Sequence, residues 1–124
     1  MASWLAILVG GAFGALLRYG TIQGIQQVLG KGFPYGTLTV NVLGSFALGY
    51  LAFYFGQRDL LASAWYRGLA VGVLGAFTTF STFSLDTVNL LAQGDLTKGL
   101  LNIGLNVGLC LLAVSLGIFT AKGF

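Results

Sequence analysis

Four long apolar stretches, separated by short loops that hold most of the charge, constrain this chain more than anything else in it. A helix that crosses a bilayer needs about 20 mostly apolar residues. Such runs extend over residues 3–28, 36–56, 67–91 and 99–121. Between them lie GKGFPY, QRDLLASAWY and AQGDLTK. The one proline, Pro34, falls in the first loop just before the second run, a permitted place for a residue that cannot continue a helix. Charged residues make up 7% of the chain and hydrophobic ones 56%, whereas a soluble domain carries roughly 25% charged residues. A globule of this size could not cover itself with so few charges, so the solvent is lipid. The expectation is an all-α integral membrane protein, a single domain over 1–124 with four transmembrane helices. The start, MASWLAILVGG, lacks the basic residues that open a cleavable signal, so it reads as a retained first span.

Several function classes drop out. The net charge is +3, but the six basic residues are scattered among loops and make no phosphate-binding stripe, which argues against a nucleic-acid partner. Cys110 is the only cysteine and there is no histidine. A zinc or haem site and a His-based triad are therefore not expected. Cys110 sits in an apolar run and reads as helix packing. No nucleophile–base pair can be assembled, so an enzyme is not expected.

The charge balance does not choose a side. With four spans, the N-terminus, second loop and C-terminus lie together and hold Arg58, Arg67 and Lys122. The opposite side holds Lys31 and Lys98, with Arg18 if it snorkels that way. The positive-inside rule then fixes no orientation. One reading is a weak signal; the sharper one is a chain that inserts both ways up and pairs as an antiparallel, dual-topology homodimer. Glycine pairs four apart (Gly10 with Gly14, Gly20 with Gly24, Gly68 with Gly72, Gly104 with Gly108) permit close helix approach, within the chain or between subunits.

Polar groups inside the spans are costly in lipid and so informative. Thr37, Asn41 and Ser45 recur at steps of four and share one helix face. They serve either as interhelical hydrogen bonds or as a row of donors to a solute. Asn102 and Asn106 repeat the spacing in the last span, where packing glue is the expectation. The middle of the third span reads GAFTTFSTF. Gly75 and the threonines 78 and 79 propagate a helix poorly, and hydroxyls compete with the backbone ladder. A break near the bilayer midplane is expected there. Freed carbonyls at that depth need a partner, either padding hydroxyls or a monovalent cation. Phe80 and Phe83 share a face. They are either core, or ring edges lining an anion path among Ser81, Thr82 and Ser84. Arg18 and Asp86 fall in the same half of the membrane, as an ion pair, as charges that snorkel separately to headgroups, or with Arg18 at a water-filled mouth.

Three motifs together, GGAFGALLRYG (10–20), PYGTLTVNVLGSF (34–46) and GVLGAFTTFSTFSLD (72–86), resemble the Fluc, or CrcB, fluoride channels. Their order, their spacing and the four-span length cover the chain. The resemblance implies an antiparallel dual-topology homodimer that exports fluoride passively across the plasma membrane through two pores. It implies that Phe80, Phe83, Asn41, Ser81 and Thr82 line the pore and that Arg18 lies at the vestibule. It also implies that the backbone carbonyls of Gly75 and Thr78 hold a structural Na+ at the dimer axis. Two alternatives remain from the residues. A small multidrug-type, proton-coupled transporter needs a membrane carboxylate, for which Asp86 is the candidate. A non-transporting assembly protein would use the glycine-rich helices but has no need of the hydroxyl–phenylalanine cluster.

Overall fold

The computed structural model describes residues 1–123, and among them all regular structure is helical. Helix α1 spans Ala2–Leu29 and α2 spans Tyr35–Gly56. The third span divides into α3, residues 64–77, and α4, Phe80–Ala92. Helix α5 spans Leu96–Ala121. Four helical segments are long and apolar enough to cross a membrane, counting α3 and α4 as one. At 1.5 Å per residue, the 28 residues of α1 reach about 42 Å, longer than the hydrocarbon core of about 30 Å.

The loops are short and their ends are chemically defined. Gly30 ends α1 and Gly94 follows α4, both at positive φ (81° and 83°) where a side chain would be strained. Ser63 caps the start of α3 by accepting from the Tyr66 N–H, and Asp95 caps α5 by accepting from the Lys98 N–H. One contact at each end of the bundle ties neighbouring segments: Arg67 donates to Ser3 (3.2 Å), and at the opposite end Lys98 Nζ donates to the Gly32 carbonyl (3.2 Å).

The interior is small and polar, and the exterior is large and apolar. Trp4, Leu8, Phe13, Leu16, Trp65, Leu111 and Phe119 are exposed. Val40 and Asn102 are fully buried, and Thr37, Thr79, Thr87 and Asn106 lie close behind. Lipid tails are as apolar as leucine, so burying leucine between helices gains little, and backbone approach and hydrogen bonds fill the interior instead.

Two glycine-lined seams do the packing. Along the first, α1 meets α3. A Cβ added at Gly10 would meet the Gly68 carbonyl, and one at Gly14 the Val73 carbonyl. Along the second, α2 meets α5: a Cβ at Gly49 would meet the Val114 carbonyl, and one at Gly117 the Phe46 carbonyl. The pairs Gly10/Gly14 and Gly68/Gly72 therefore pack within the chain. A Cβ added at Gly20, Gly24, Gly104 or Gly108 would meet no neighbouring segment within 4 Å. Facing α1, residues Arg67–Leu74 of α3 are wound as a wide π-helix, a form sequence periodicity did not suggest. Such turns are uncommon and concentrate at functional sites. Here the widened stretch leads directly into the break.

A candidate ion path at the helix break

The break lies at Thr78 and Thr79, whose backbones are extended (φ −84°, ψ 159° and φ −153°, ψ 120°). β-branched residues tolerate that conformation well. Helix α3 ends by the Thr78 N–H donating to Leu74, with the Thr78 hydroxyl on the same carbonyl (3.0 Å each). Helix α4 starts with Thr79 as its cap, its Oγ1 accepting from the Thr82 N–H (3.2 Å).

What keeps the break open is Asn41 of α2. Its Oδ1 accepts from the Thr79 N–H (2.8 Å), and its Nδ2 donates to the Thr79 carbonyl (3.1 Å). One side-chain amide thus takes both backbone groups of Thr79, as a neighbouring strand would. A turn further along α2, Gly44 leaves room for the Thr78 methyl. Because the Thr79 N–H points to Asn41, it does not return to Gly75, four residues back. Among the described residues, no donor is paired with the carbonyls of Gly75 or Thr78.

The face carrying Thr37 and Asn41 is turned toward α4. Thr37 donates to Asp86 Oδ2 (2.8 Å). Asp86 is thus bound to Thr37 and not to Arg18, and the only ion pair among the described residues is Lys98–Asp95 (3.7 Å). Arg18 is half-buried on α1.

An open groove of about 370 Å³ runs beside the break. Asn41, Gly75, Thr78, Phe80 and Phe83 all line it, with Asn106 of α5. The two rings lie 5.3 Å apart at 53°. They differ in exposure: Phe83 is 8% exposed and Phe80 is 76% exposed. Ser81 and Thr82 lie at the Thr79 cap, outside the groove lining. The Thr79 hydroxyl donates to Thr82 Oγ1 (3.0 Å), which leaves the Thr82 proton free to point elsewhere. Ser81 Oγ is 3.5 Å from Thr79 Oγ1. Arg18 is not part of the groove.

The polar interior adds residues that spacing alone had placed only as packing. Asn106 Oδ1 accepts from Asn41 Nδ2 (3.0 Å), and Asn106 Nδ2 donates to Asn102 (3.0 Å). Asn102 Nδ2 donates to Thr87 (2.9 Å). The signal was present in the sequence: two amides four apart in a span that otherwise carries no reason to be polar.

Residues 5–118 match the family described as CrcB-like protein, Camphor Resistance (CrcB). The chain is 48% identical over 118 residues to the fluoride-specific ion channel FluC of Aeromonas salmonicida (strain A449), covering 95% of this chain and 94% of that one. It is 47% identical over 120 residues to a protein of the same name from Magnetococcus marinus, covering 97% and 96%. Against that of Vibrio vulnificus (strain YJ016) it is 50% identical over 116 residues, covering 94% and 92%. The family match runs from Leu5 to Ile118, through Asn41, the break and both rings, and so this chain belongs to the CrcB family.

Proposed function

We propose that this protein is a fluoride-specific ion channel, a multi-pass protein of the plasma membrane that lets fluoride leave the cell passively. It is a channel and not an enzyme. The observation that carries the reading is the groove at the break, which Asn41, Phe80, Phe83 and the residues with unpaired carbonyls, Gly75 and Thr78, all line. Relatives covering nearly the whole chain bear the name of that activity. Neither a proton-coupled multidrug transporter nor an assembly protein is favoured by any feature of the site.

Fluoride is small and strongly hydrated, so its path must replace water with many weak donors. Ring edges are positive where ring faces are negative, so Phe80 and Phe83 offer edge hydrogens without a charge that would trap the ion. The Thr82 hydroxyl has its proton available, because its oxygen already accepts from Thr79. Ser81 is exposed beside it. The amide hydrogens of Asn41 lie on Thr79 and Asn106; donation to a passing anion exchanges one of these bonds. Arg18 raises the local anion concentration at the mouth.

The finer reading is an antiparallel homodimer. Phe80 and Gly75 are exposed at the break, and a second copy would cover them. The unpaired carbonyls of Gly75 and Thr78 suit Na+, a hard cation that takes oxygen ligands, and unwound midplane carbonyls serve this purpose in other transporters. Bound there, the ion would satisfy carbonyl dipoles that the break leaves open and add positive charge beside an anion path. Export needs no pump, since an inside-negative potential contributes about 2.3 kcal/mol per charge per 100 mV.

The test is direct. Liposomes carrying the protein are loaded with fluoride and potassium, a potassium ionophore is added, and an electrode follows fluoride. Electrogenic efflux of fluoride with none of chloride is expected. No efflux, or efflux that requires a proton gradient, refutes the proposal.

A further inference from the structure

A chain of buried hydrogen bonds links the two ends of the segment that carries the rings. It begins at the Phe83 carbonyl, which accepts from the Thr87 hydroxyl (2.8 Å). Thr87 Oγ1 accepts from Asn102 Nδ2 (2.9 Å). Asn102 Oδ1 and its backbone carbonyl both lie 3.0 Å from Asn106 Nδ2. Asn106 Oδ1 accepts from Asn41 Nδ2 (3.0 Å), and Asn41 closes on both backbone groups of Thr79. The chain starts at Phe83, crosses from α4 to α5 to α2, and returns to α4 at its cap. Its interior members are almost fully enclosed, with Asn102 0%, Asn106 5% and Thr87 7% exposed.

The direction of every bond is dictated by groups that cannot reverse. The Thr79 N–H can only donate and its carbonyl can only accept, so Asn41 has one permitted amide orientation. Asn106 must then present its oxygen to Asn41 and its nitrogen to Asn102, whose backbone carbonyl again can only accept. Thr87 turns its proton to the Phe83 carbonyl and so offers Asn102 a lone pair. Reversing one amide would set acceptor against acceptor in a site closed to water, where an unsatisfied group is costly. A fully satisfied network of this kind selects a single geometry.

We propose that Asn106, Asn102 and Thr87 are positioning residues for conduction: they fix the amide polarity of Asn41 and hold the segment from Thr79 to Phe83, and with it both rings, in the conducting arrangement. None of the three is assigned contact with the ion. The inference rests on the fluoride-channel reading, and its test separates the two.

The test uses Asn106→Leu, Asn106→Asp and Thr87→Val in full-length protein, in the same liposome assay between about pH 6 and pH 8, where fluoride stays ionised. Asn106→Leu keeps the branched skeleton, with bulkier methyl groups, and removes both the acceptor and the donor. Fluoride efflux per folded channel is expected to fall at least about tenfold, because misplacing a site by about 1 Å has large kinetic effects. Asn106→Asp discriminates positioning from packing. Protonated, the new carboxyl copies the amide, its O–H donating to Asn102 and its C=O accepting from Asn41. Ionised, it offers Asn102 no donor. Efflux of Asn106→Asp should therefore recover toward the wild-type rate as pH falls, while Asn106→Leu stays slow throughout. The titratable groups facing this region are Cys110 of α5, which shares the groove, and Asp86 of α4, held by Thr37 of α2. Both remain in Asn106→Leu and in the wild type, so a pH response confined to Asn106→Asp belongs to the new carboxyl.

Wild-type efflux from folded Asn106→Leu overturns the proposal, as do equal rates for Asn106→Asp and Asn106→Leu at every pH. Should Asn106→Leu fail to fold, Thr87→Val decides: slower efflux supports the chain, and an unchanged rate refutes it. Deuterium exchange at the Thr79 amide gives a readout independent of fluoride. Faster exchange in Asn106→Leu or Thr87→Val supports the chain, and unchanged protection overturns it. A wild type that passes no fluoride rejects the channel reading and leaves the exchange result to judge the chain.

Discussion

Replacing Asn41 with leucine keeps the branched skeleton of the side chain and removes three hydrogen bonds at once. The Thr79 N–H loses its acceptor, the Thr79 carbonyl loses its donor, and Asn106 Oδ1 loses the Asn41 hydrogen. At the average for interhelical bonds in membranes, about 0.6 kcal/mol each, the sum is about 2 kcal/mol. That average assumes the freed groups find other partners. Thr79 is 6% and Asn106 5% exposed, so water does not replace what is lost, and an unsatisfied buried group costs about 1–3 kcal/mol. One escape exists: the Thr79 N–H can return to the Gly75 carbonyl and close the helix. That recovers one bond of the three, takes Thr79 out of its extended conformation and removes a carbonyl proposed to hold Na+. The expected loss is therefore about 2–6 kcal/mol, two orphaned groups at about 1–3 kcal/mol each, with fluoride efflux abolished in whatever folds. Thermal unfolding in detergent, followed by Trp4 and Trp65 fluorescence, measures the first, and the liposome assay the second. Asn41→Asp separates acceptor from donor when its carboxyl is ionised: it can still receive the Thr79 N–H, but it then faces the Thr79 carbonyl and Asn106 Oδ1 with no hydrogen to give. A leucine variant that melts with the wild type, keeps its Thr79 amide protected and conducts normally would show that the amide does not hold the break.

The remaining predictions follow the same geometry. Phe80→Ile should slow fluoride efflux strongly with a stability change within about 0.5 kcal/mol, because the ring is exposed on the chain, while Phe83→Ile should slow it and also destabilise by about 1 kcal/mol; wild-type rates in both folded variants remove the rings from the mechanism. Gly14→Leu should prevent α1 from closing on α3, since its Cβ already meets the Val73 carbonyl, and gel filtration should then find no monodisperse protein. Replacing Na+ by N-methyl-D-glucamine on both sides, after exhaustive dialysis, should abolish efflux and restore it on return of Na+; an undiminished rate argues against the carbonyl site. Adding two lysines to the second loop should silence the protein alone and restore function with an oppositely biased copy; function from the single-orientation protein refutes dual topology.

The four helices were legible because lipid leaves a chain few options: every backbone group must be satisfied inside its own segment, and long apolar runs are what result. The break was legible for a related reason. Gly75 and two consecutive threonines are poor helix formers, and nothing outside the segment was needed to suspect them. What could not be read is whatever depends on the register of one helix against another. The wide turns at Arg67–Leu74 lie where Gly68 and Gly72 meet the α1 backbone, and a period within one segment carries no record of that contact. Spacing put Thr37 and Asn41 on one face but did not say what the face meets; it meets Asp86 and Thr79. Arg18 and Asp86, in the same half of the membrane, invited a pairing that the structure does not make. Asp86 has a nearer partner on α2, and half-membrane bookkeeping cannot rank two partners at similar depth. The amide chain had a weak signal, since Asn41, Asn102 and Asn106 are more amides than an apolar bundle leaves unpaired, and a tally of that kind points to a network without naming its links. The groove itself carries the deepest ambiguity. Phe83 is enclosed by its own chain and Phe80 stands outside it. A face pair three residues apart would ordinarily share one environment, and here it straddles a boundary, which is the arrangement expected of a site completed by a second surface.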